Sequence, residues 1–274
     1  MLIAALRVKN ETWVIRYTLS ALSEFVDKIV VVDDGSTDDT VQVCKSFPKV
    51  VEVFCNGVRD ENQVDEAKDW NRMTELARKH GAQWILYTDA DEMLEPAIKD
   101  FARKLTELKQ YNMIRFRKVS PWKRIDVFRT DKARFDHKAY ETLNPIIVRA
   151  GCPIHWHDGR GNWLRKLAKR ITRGERALPS LGRGYPDGVG DRVLNVDDLV
   201  SIHFNHLSME RLVRKQVFYA LVEKRMKPYR SRDEIVQWVS HGWSEEGMKL
   251  EPIKAEWLWQ DYVHFVDQRE GLTF

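Results

Sequence analysis

Three carboxylates follow a short apolar run about a third of the way along the chain. The run covers residues 84–88, and Asp89, Asp91 and Glu92 come directly after it. An apolar run bounded by polar residues is typical of a buried strand, and open α/β sheets bind their ligands at the carboxyl ends of strands. Mg²⁺ or Mn²⁺ binds carboxylate oxygens together with phosphate oxygens of a substrate. The spacing therefore predicts a divalent metal site, and the alternative is a solvated acidic loop.

A second acidic pair, Asp33 and Asp34, follows the β-branched run at residues 28–32. Gly35 then permits a tight turn from strand to helix. The two acidic strand ends are expected at the carboxyl edge of one sheet, where a nucleotide offers a base and ribose to acceptors and a diphosphate to a cation. Neither G-x-x-x-x-G-K-[ST] nor G-x-G-x-x-G occurs in the chain. A metal, rather than backbone amides, is therefore expected to hold the diphosphate.

Predicted strands and helices alternate along the part of the chain that positions these residues. Runs of apolar residues predict strands at 2–6, 28–32, 50–54 and 84–88. Helical periodicity predicts helices from about residue 12, from about residue 40 and over residues 65–79. Four such alternations in about ninety residues predict a parallel α/β sheet.

Later elements are predicted to complete the domain. Residues 112–119 and 122–129 are predicted strands, and residues 197–204 are another. An amphipathic helix is predicted from residue 209, and the tail to residue 274 is predicted to be helical and aromatic. The apolar face of that helix is assigned to Leu212, Val213, Val217, Ala220 and Leu221.

Composition limits the function classes. The 274 residues include 45 basic and 41 acidic side chains, and a net charge of +4 gives no reason to expect a nucleic-acid partner. No apolar run approaches the ~18 residues of a membrane span, and no signal peptide is recognised. The three cysteines are scattered and odd in number. A cytoplasmic protein with reduced thiols is therefore predicted.

One segment is strongly basic. Residues 160–176 carry seven Lys or Arg against a single acid. This segment is either a solvated basic face or a contact for an anionic partner, which would be the donor diphosphate, an acidic glycan or the phosphates of a membrane surface.

The acidic motifs resemble a known family. Residues 31–38, Val-Val-Asp33-Asp34-Gly-Ser-Thr-Asp, and residues 84–92, Trp-Ile-Leu-Tyr-Thr-Asp89-Ala-Asp91-Glu, are similar to those of family 2 glycosyltransferases. Residues 7–11, Arg-Val-Lys-Asn-Glu, and Asn71 are similar as well. The resemblance is good over residues 2–117 and looser beyond them.

The resemblance implies a fold and a domain arrangement. The implied fold class is α/β of the GT-A type, a mixed and mostly parallel sheet flanked by helices. The implied glycosyltransferase domain covers residues 1–207, with a donor half at about 1–117 and an acceptor half at about 118–207. Residues 208–274 would form a C-terminal helical extension packed on that domain.

The implied activity is metal-dependent, inverting transfer of a sugar with Mn²⁺ or Mg²⁺ as cofactor. The donor would be a UDP-, GDP- or dTDP-sugar, and the acceptor a hydroxyl of a glycan, a lipid or a protein-linked glycan. A silent module that binds sugar nucleotide or glycan is one alternative. A sugar-phosphate nucleotidyltransferase is another, although residues 6–10, Leu-Arg-Val-Lys-Asn, lack the glycine-rich loop expected there. Oligomeric state is left open.

The resemblance also implies roles for single residues. Asp33 would contact the base, Asp34 the base or ribose, and Asp89 the ribose or the metal. Asp91 would be the principal metal ligand, and His203 is the candidate third ligand. The alternative for His203 is a histidine that caps the next helix or is buried against the sheet. Donor binding is further assigned to Asn10, Glu11, Asn71 and Ala90.

Inversion requires a base that takes the acceptor proton while the diphosphate leaves on the opposite face. A carboxylate about seventy residues beyond the acidic motif suits this role. Asp158 is the first candidate, with Asp136 and Glu141 in reserve. Asp158 alternatively only forms an ion pair with a nearby basic residue. His155 and His157 alternate, so one is predicted to face the cleft and the other the core.

Overall fold

The computed structural model describes residues 1–57, 66–131, 146–157, 186–226, 230–240 and 245–260. The candidate bases Asp136, Glu141 and Asp158 lie outside these residues. The basic segment 160–176 lies outside them too.

One large mixed sheet forms the centre of the described chain. Its eight strands are β1 (Leu2–Val8), β2 (Lys28–Asp33), β3 (Val50–Cys55), β4 (Trp84–Asp89), β5 (Glu92–Leu94), β6 (Met113–Val119), β9 (Ile146–Arg149) and β10 (Val193–His203). Their spatial order is β3-β2-β1-β4-β9-β6-β10-β5. The first four strands in this order are parallel, as predicted. β9 is antiparallel to both β4 and β6, which makes the sheet mixed.

A small antiparallel sheet covers one side of the molecule. It contains β7 (Pro121–Trp122), β8 (Arg124–Arg129) and β11 (Leu250–Pro252), in the order β11-β8-β7. The predicted strand at 122–129 therefore exists but belongs to a separate sheet.

Six helices of the described chain flank the sheets. They are α1 (Ile15–Ser23), α2 (Thr40–Lys45), α3 (Glu66–Lys79), α4 (Ile98–Arg103), α5 (Met209–Met226) and α6 (Arg232–Ser240). No helix in the described ranges has the length and apolarity that a membrane crossing requires.

The strand β1 shows why the first runs of the sequence are continuously apolar. Successive side chains of a strand point to opposite faces. Leu6 packs on one face with Leu19 of α1, while Ala5 packs on the other with Met73 of α3. Helices cover both faces, so every residue of the strand except Arg7 is buried, as is usual for central parallel strands.

The predicted apolar face of α5 is wrong for most of its residues. Leu212 is buried, but Val217 is 53% exposed and Leu221 is 57% exposed. The helix instead directs Arg211 and Lys215 toward acidic residues at the sheet edge. The side of this helix that faces the sheet edge therefore carries ion pairs with Glu11 and Asp91.

The predicted all-helical tail is also wrong in part. Residues 245–260 contain β11, which pairs with β8, and a 3₁₀ turn at Ala255–Trp257. The free edge of β8 offers backbone hydrogen bonds that a helix cannot use. Trp259 further fixes this segment, because its Nε1 donates a hydrogen bond of 2.8 Å to the carbonyl of Leu94.

Candidate functional site

The acidic ends of β2 and β4 lie at one edge of the sheet, on either side of β1. Backbone register sets Asp33 beside Val8 and Asp89 beside Arg7. Neighbouring strands are about 4.8 Å apart, so these two strand ends are about 10 Å apart across β1. One small molecule can span that distance.

Asp33 shapes the turn that leaves β2. Its carboxylate accepts the N–H groups of Gly35 and Ser36, each at 3.1 Å. Gly35 has φ of 80°, a left-handed conformation that glycine adopts without steric cost. The side chain of Asp33 is buried and closes an Asx-type turn.

Asp34 belongs to a buried ion-pair network centred on Arg7. The guanidinium of Arg7 bonds Asp34 and donates from Nε to Asp69 at 2.8 Å. Its Nη1 lies 3.9 Å from Glu66. Burial alone would lower the pKa of Arg7, but the charges of Asp34, Glu66 and Asp69 raise it. Arg7 therefore neutralises one acid that follows β2 and two acids of α3.

Asn10 joins the loops that follow β1 and β2. It has a positive φ of 54°, its N–H donates to Ser36 Oγ at 3.0 Å, and its Oδ1 accepts the N–H of Thr37 at 2.8 Å. The predicted donor-binding residue thus holds the two edge loops together. Its role toward a donor stays a prediction.

Glu11 faces the acidic motif from the neighbouring loop. Its carboxylate accepts Trp13 Nε1 at 2.7 Å and pairs with Arg211 of α5. Burial and the charge of Asp91 raise the pKa of Glu11 to about 7, against the opposing effect of Arg211. Helix α5 is therefore attached directly to this edge.

The chain turns sharply between the two aspartates of the D-A-D-E motif. β4 ends at Asp89 and β5 begins at Glu92. Ala90 is buried, and its carbonyl accepts the hydroxyl of Thr18. The carbonyl of Asp91 accepts the N–H of Phe204 at 2.9 Å. These backbone contacts fix the turn against α1 and the end of β10.

Asp91 and His203 converge at this turn. Antiparallel pairing of β5 with β10 sets His203 opposite Glu92. His203 Nε2 lies 3.6 Å from Asp91 Oδ2, and Lys215 Nζ lies 3.5 Å from the same oxygen. Burial would raise the pKa of Asp91, but Lys215 and His203 hold that pKa well below its ordinary value.

Glu92 supports the turn through contacts on both sides of it. Its carboxylate pairs with Lys118 of β6, and its Oε1 lies 3.9 Å from His203 Nδ1. Its other oxygen accepts the N–H of Asp89 at 3.4 Å. Glu92 thereby contacts both the strand end and the histidine.

The candidate metal ligands meet part of what a divalent cation requires. No cluster of three His, Cys, Asp or Glu suited to a metal occurs within the described ranges. Asp91 Oδ2 and His203 Nε2, 3.6 Å apart, are close to the roughly 3 Å between adjacent ligands of an octahedral Mg²⁺ or similar ion. Such ions commonly take one or two protein ligands and complete their shell with water and phosphate. The metal role of Asp89 stays a prediction.

Asn71 makes a two-point contact with a distant segment. Its Nδ2 donates to the carbonyl of Trp156 at 2.8 Å, and its Oδ1 accepts the N–H of Trp156 at 2.9 Å. Asn71 also lines a cavity of about 390 Å³ together with His155 and His157. Its contact with the sugar donor stays a prediction, whereas its hydrogen bonds to Trp156 are seen in the structure.

The prediction that one of His155 and His157 faces the core is wrong. Both are exposed, and their rings lie 4.4 Å apart edge to face. His157 Nε2 lies 2.8 Å from Asp187 Oδ2. The intervening Trp156 is the residue that packs inward, against Trp70.

Sequence reasoning missed the basic residues of the site. Arg7, Lys118, Arg211 and Lys215 all pair with the predicted acidic residues. A signal existed on α5, where Arg211 and Lys215 are four positions apart and share a helix face.

Comparison with known proteins identifies the chain's relatives. The model of a family described as "Glycosyl transferase family 2" matches residues 6–169. No curated protein sequence matches the chain. S. aureus TarS 1-349 is similar in structure, with 14% identity, a TM-score of 0.49, and coverage of 86% of this chain and 77% of that one.

A second similar structure is glucosyl-3-phosphoglycerate synthase from Mycobacterium tuberculosis in complex with Mn²⁺, UDP and glucosyl-3-phosphoglycerate. It has 15% identity, a TM-score of 0.48, and coverage of 82% of this chain and 79% of that one. The family model covers well over half of the 274 residues and confirms the predicted family and its α/β GT-A fold class. The chain therefore belongs to glycosyl transferase family 2 and is a glycosyltransferase.

Proposed function

We propose that this chain transfers a sugar from a nucleoside-diphosphate donor to an acceptor hydroxyl, with inversion and with a divalent cation. The observation that supports it best is the convergence of Asp91 Oδ2 and His203 Nε2, 3.6 Å apart, at the carboxyl edge of the sheet. Ligands of open α/β sheets bind at that edge. A cation held there, Mn²⁺ or Mg²⁺, would neutralise charge that grows on the leaving diphosphate.

The chain's own residues would orient the donor. Asp91 and His203 would hold the cation, and Asp89 is proposed to approach it or the ribose. The loops tied together by Asn10 would border the base and ribose, with Asp33 and Asp34 beneath them. Asp158, Asp136 or Glu141 would take the acceptor proton. Orientation of two bound reactants in one cleft can supply a large part of the rate enhancement.

The acceptor is proposed to be a hydroxyl of a glycan, a lipid or a protein-linked glycan. The basic segment 160–176 would suit an acidic acceptor or a membrane surface.

The test measures nucleoside diphosphate release from UDP-, GDP- and dTDP-sugars, with Mn²⁺, with Mg²⁺ and with EDTA. The wild type should release the diphosphate from one donor slowly in Mn²⁺ without acceptor. Asp91→Asn should reduce release at least about a hundredfold. Asp100→Asn is the matched control, because Asp100 is exposed and forms its ion pair across one helix turn, with Arg103 at 2.7 Å.

Equal release by the wild type and Asp91→Asn, or full release in EDTA, would show that the reaction does not depend on a metal bound to Asp91. Slow release of the diphosphate in Mn²⁺ would exclude a silent binding module. Release of pyrophosphate from a nucleoside triphosphate and a sugar phosphate would identify a nucleotidyltransferase.

A further inference from the structure

Helix α5 brings two basic side chains over the acidic edge. Arg211 and Lys215 are four residues apart, so they lie one above the other on the same helix face. Arg211 pairs with Glu11 and lies over the ring of Trp13 at 4.4 Å. These two contacts of Arg211 hold the helix in place and position Lys215 next to the D-A-D-E turn.

Lys215 occupies the place where a cation would approach Asp91. Its Nζ lies 3.5 Å from Asp91 Oδ2, the oxygen that His203 also approaches. The ammonium of Lys215 therefore serves as the counter-ion of the Asp91 carboxylate.

The ammonium and a divalent ion compete for this oxygen. Charges of the same sign a few ångströms apart repel each other. A divalent ion bound to Asp91 therefore favours displacement of the ammonium. The side chain of Lys215 is 31% exposed, which gives it an open side toward which it can move.

We propose that Lys215 is a tethered cation that occupies Asp91 before the donor arrives and makes metal binding depend on the nucleotide. This inference rests on the proposed function. Displaced from Asp91, the ammonium needs a new anionic partner, and the donor diphosphate brings one to the same edge. A lysine suits this exchange because its ammonium is a point charge on a flexible four-carbon stem.

The exchange predicts reciprocal coupling between two ligands. If a nucleotide relieves the competition between Lys215 and the metal, it raises metal affinity, and the metal raises nucleotide affinity by the same factor. Without Lys215 the metal site should be available in the absence of nucleotide, and the coupling should shrink.

The experiment is calorimetric titration of Mn²⁺ alone and of Mn²⁺ with UDP, GDP or dTDP, on the wild type and on Lys215→Met. Lys224→Met is the matched control, because Lys224 lies on the same helix, is exposed and donates to the carbonyl of Arg230 at 2.7 Å. We expect Lys215→Met to bind Mn²⁺ alone at least about tenfold more tightly than the wild type, and to lose most of the nucleotide effect. Lys224→Met should match the wild type.

Unchanged Mn²⁺ affinity in Lys215→Met, measured without nucleotide, would overturn the proposed exchange. An equal nucleotide effect in both proteins would overturn it too. Failure of the proposed function is distinguishable, because the wild type would then bind none of the three nucleotides in the presence of Mn²⁺. Circular dichroism of each variant shows whether it is folded.

Discussion

At the scale of single residues, Glu95 is a buried carboxyl near the candidate site. Its ionised form reduces the stability of the folded protein. It lies just beyond β5, is 4% exposed, and its Oε1 accepts the N–H of Val200 at 2.6 Å. Burial raises the pKa of Glu95 to about 7, with a further increase from Glu256 and opposing effects from the Val200 N–H and Lys254. The folded protein therefore holds this proton more tightly than the unfolded chain.

The sign of the resulting pH dependence follows from proton linkage. Between pH 4.5 and 7 the folded state binds the proton and the unfolded state does not, so the contribution of Glu95 to stability is lost as pH rises. Glu95→Gln keeps the acceptor for Val200 and removes the charge. We expect it to match the wild type near pH 4.5 and to exceed it by about 2 kcal/mol at pH 8. Urea unfolding at both pH values measures this difference.

Glu24→Gln provides the control of opposite sign. A hydrogen bond and the charge of Lys99 lower the pKa of the exposed Glu24, so its removal should slightly reduce stability at pH 8. A Glu95→Gln variant less stable than the wild type at pH 8 would show that the carboxylate is stabilising and that the expected sign is wrong.

The acidic side chains of the candidate site could be predicted from the sequence one by one, but its basic side chains could not. Asp33, Asp89 and Asp91 follow strongly apolar strands, and that position alone indicates the carboxyl edge of a sheet. Lys215 lies on a helix whose polar side chains would ordinarily face water. Only the three-dimensional position of α5 brings it to Asp91.

At the scale of elements, α3 and the segment after β9 are connected by one amide side chain. Asn71 makes both of its described hydrogen bonds with the backbone of Trp156, which is buried beside Trp70. These bonds satisfy the N–H and the carbonyl of Trp156, which are partly buried and belong to no regular strand. Such groups are costly when left without a partner.

Asn71→Ala should therefore reduce stability by about 2 kcal/mol. Glu75→Ala, one turn further along the same helix, should change it by less than about 0.5 kcal/mol, since its ion pair with Arg72 is exposed. Denaturant unfolding of both variants gives the comparison. Unchanged stability of Asn71→Ala, together with weaker nucleotide binding, would instead support the donor contact that the sequence predicts.

Prediction of elements succeeded where both faces of a strand are buried. β1, β2 and β4 are continuous apolar runs, and their order along the chain matches a parallel sheet. The position of β9 between β4 and β6 depends on pairing over long sequence separations, which local patterns do not encode. The small sheet with β11 was missed for the same reason.

At the scale of the whole molecule, one sheet crosses the predicted boundary between donor and acceptor halves. β9 pairs with β4 of the donor half, and β10 returns to pair with β6 and β5. The carboxyl edge of the sheet also collects residues from distant parts of the chain, since His203 and Lys215 lie beside Asp91. Residues on both sides of the boundary should therefore unfold as one cooperative unit.

Ile147 in β9 offers a test, because it is fully buried in the cluster that also contains Leu6 of β1. Ile147→Ala should cost about 3 kcal/mol. Amides of β1 and of β10 that exchange only by global unfolding should then exchange roughly a hundredfold faster, by the same factor in both strands. Val51→Ala, at a position 38% exposed on β3, should leave both rates nearly unchanged. Acceleration confined to β10 would mean that the halves unfold independently, and the single-unit interpretation would then be wrong.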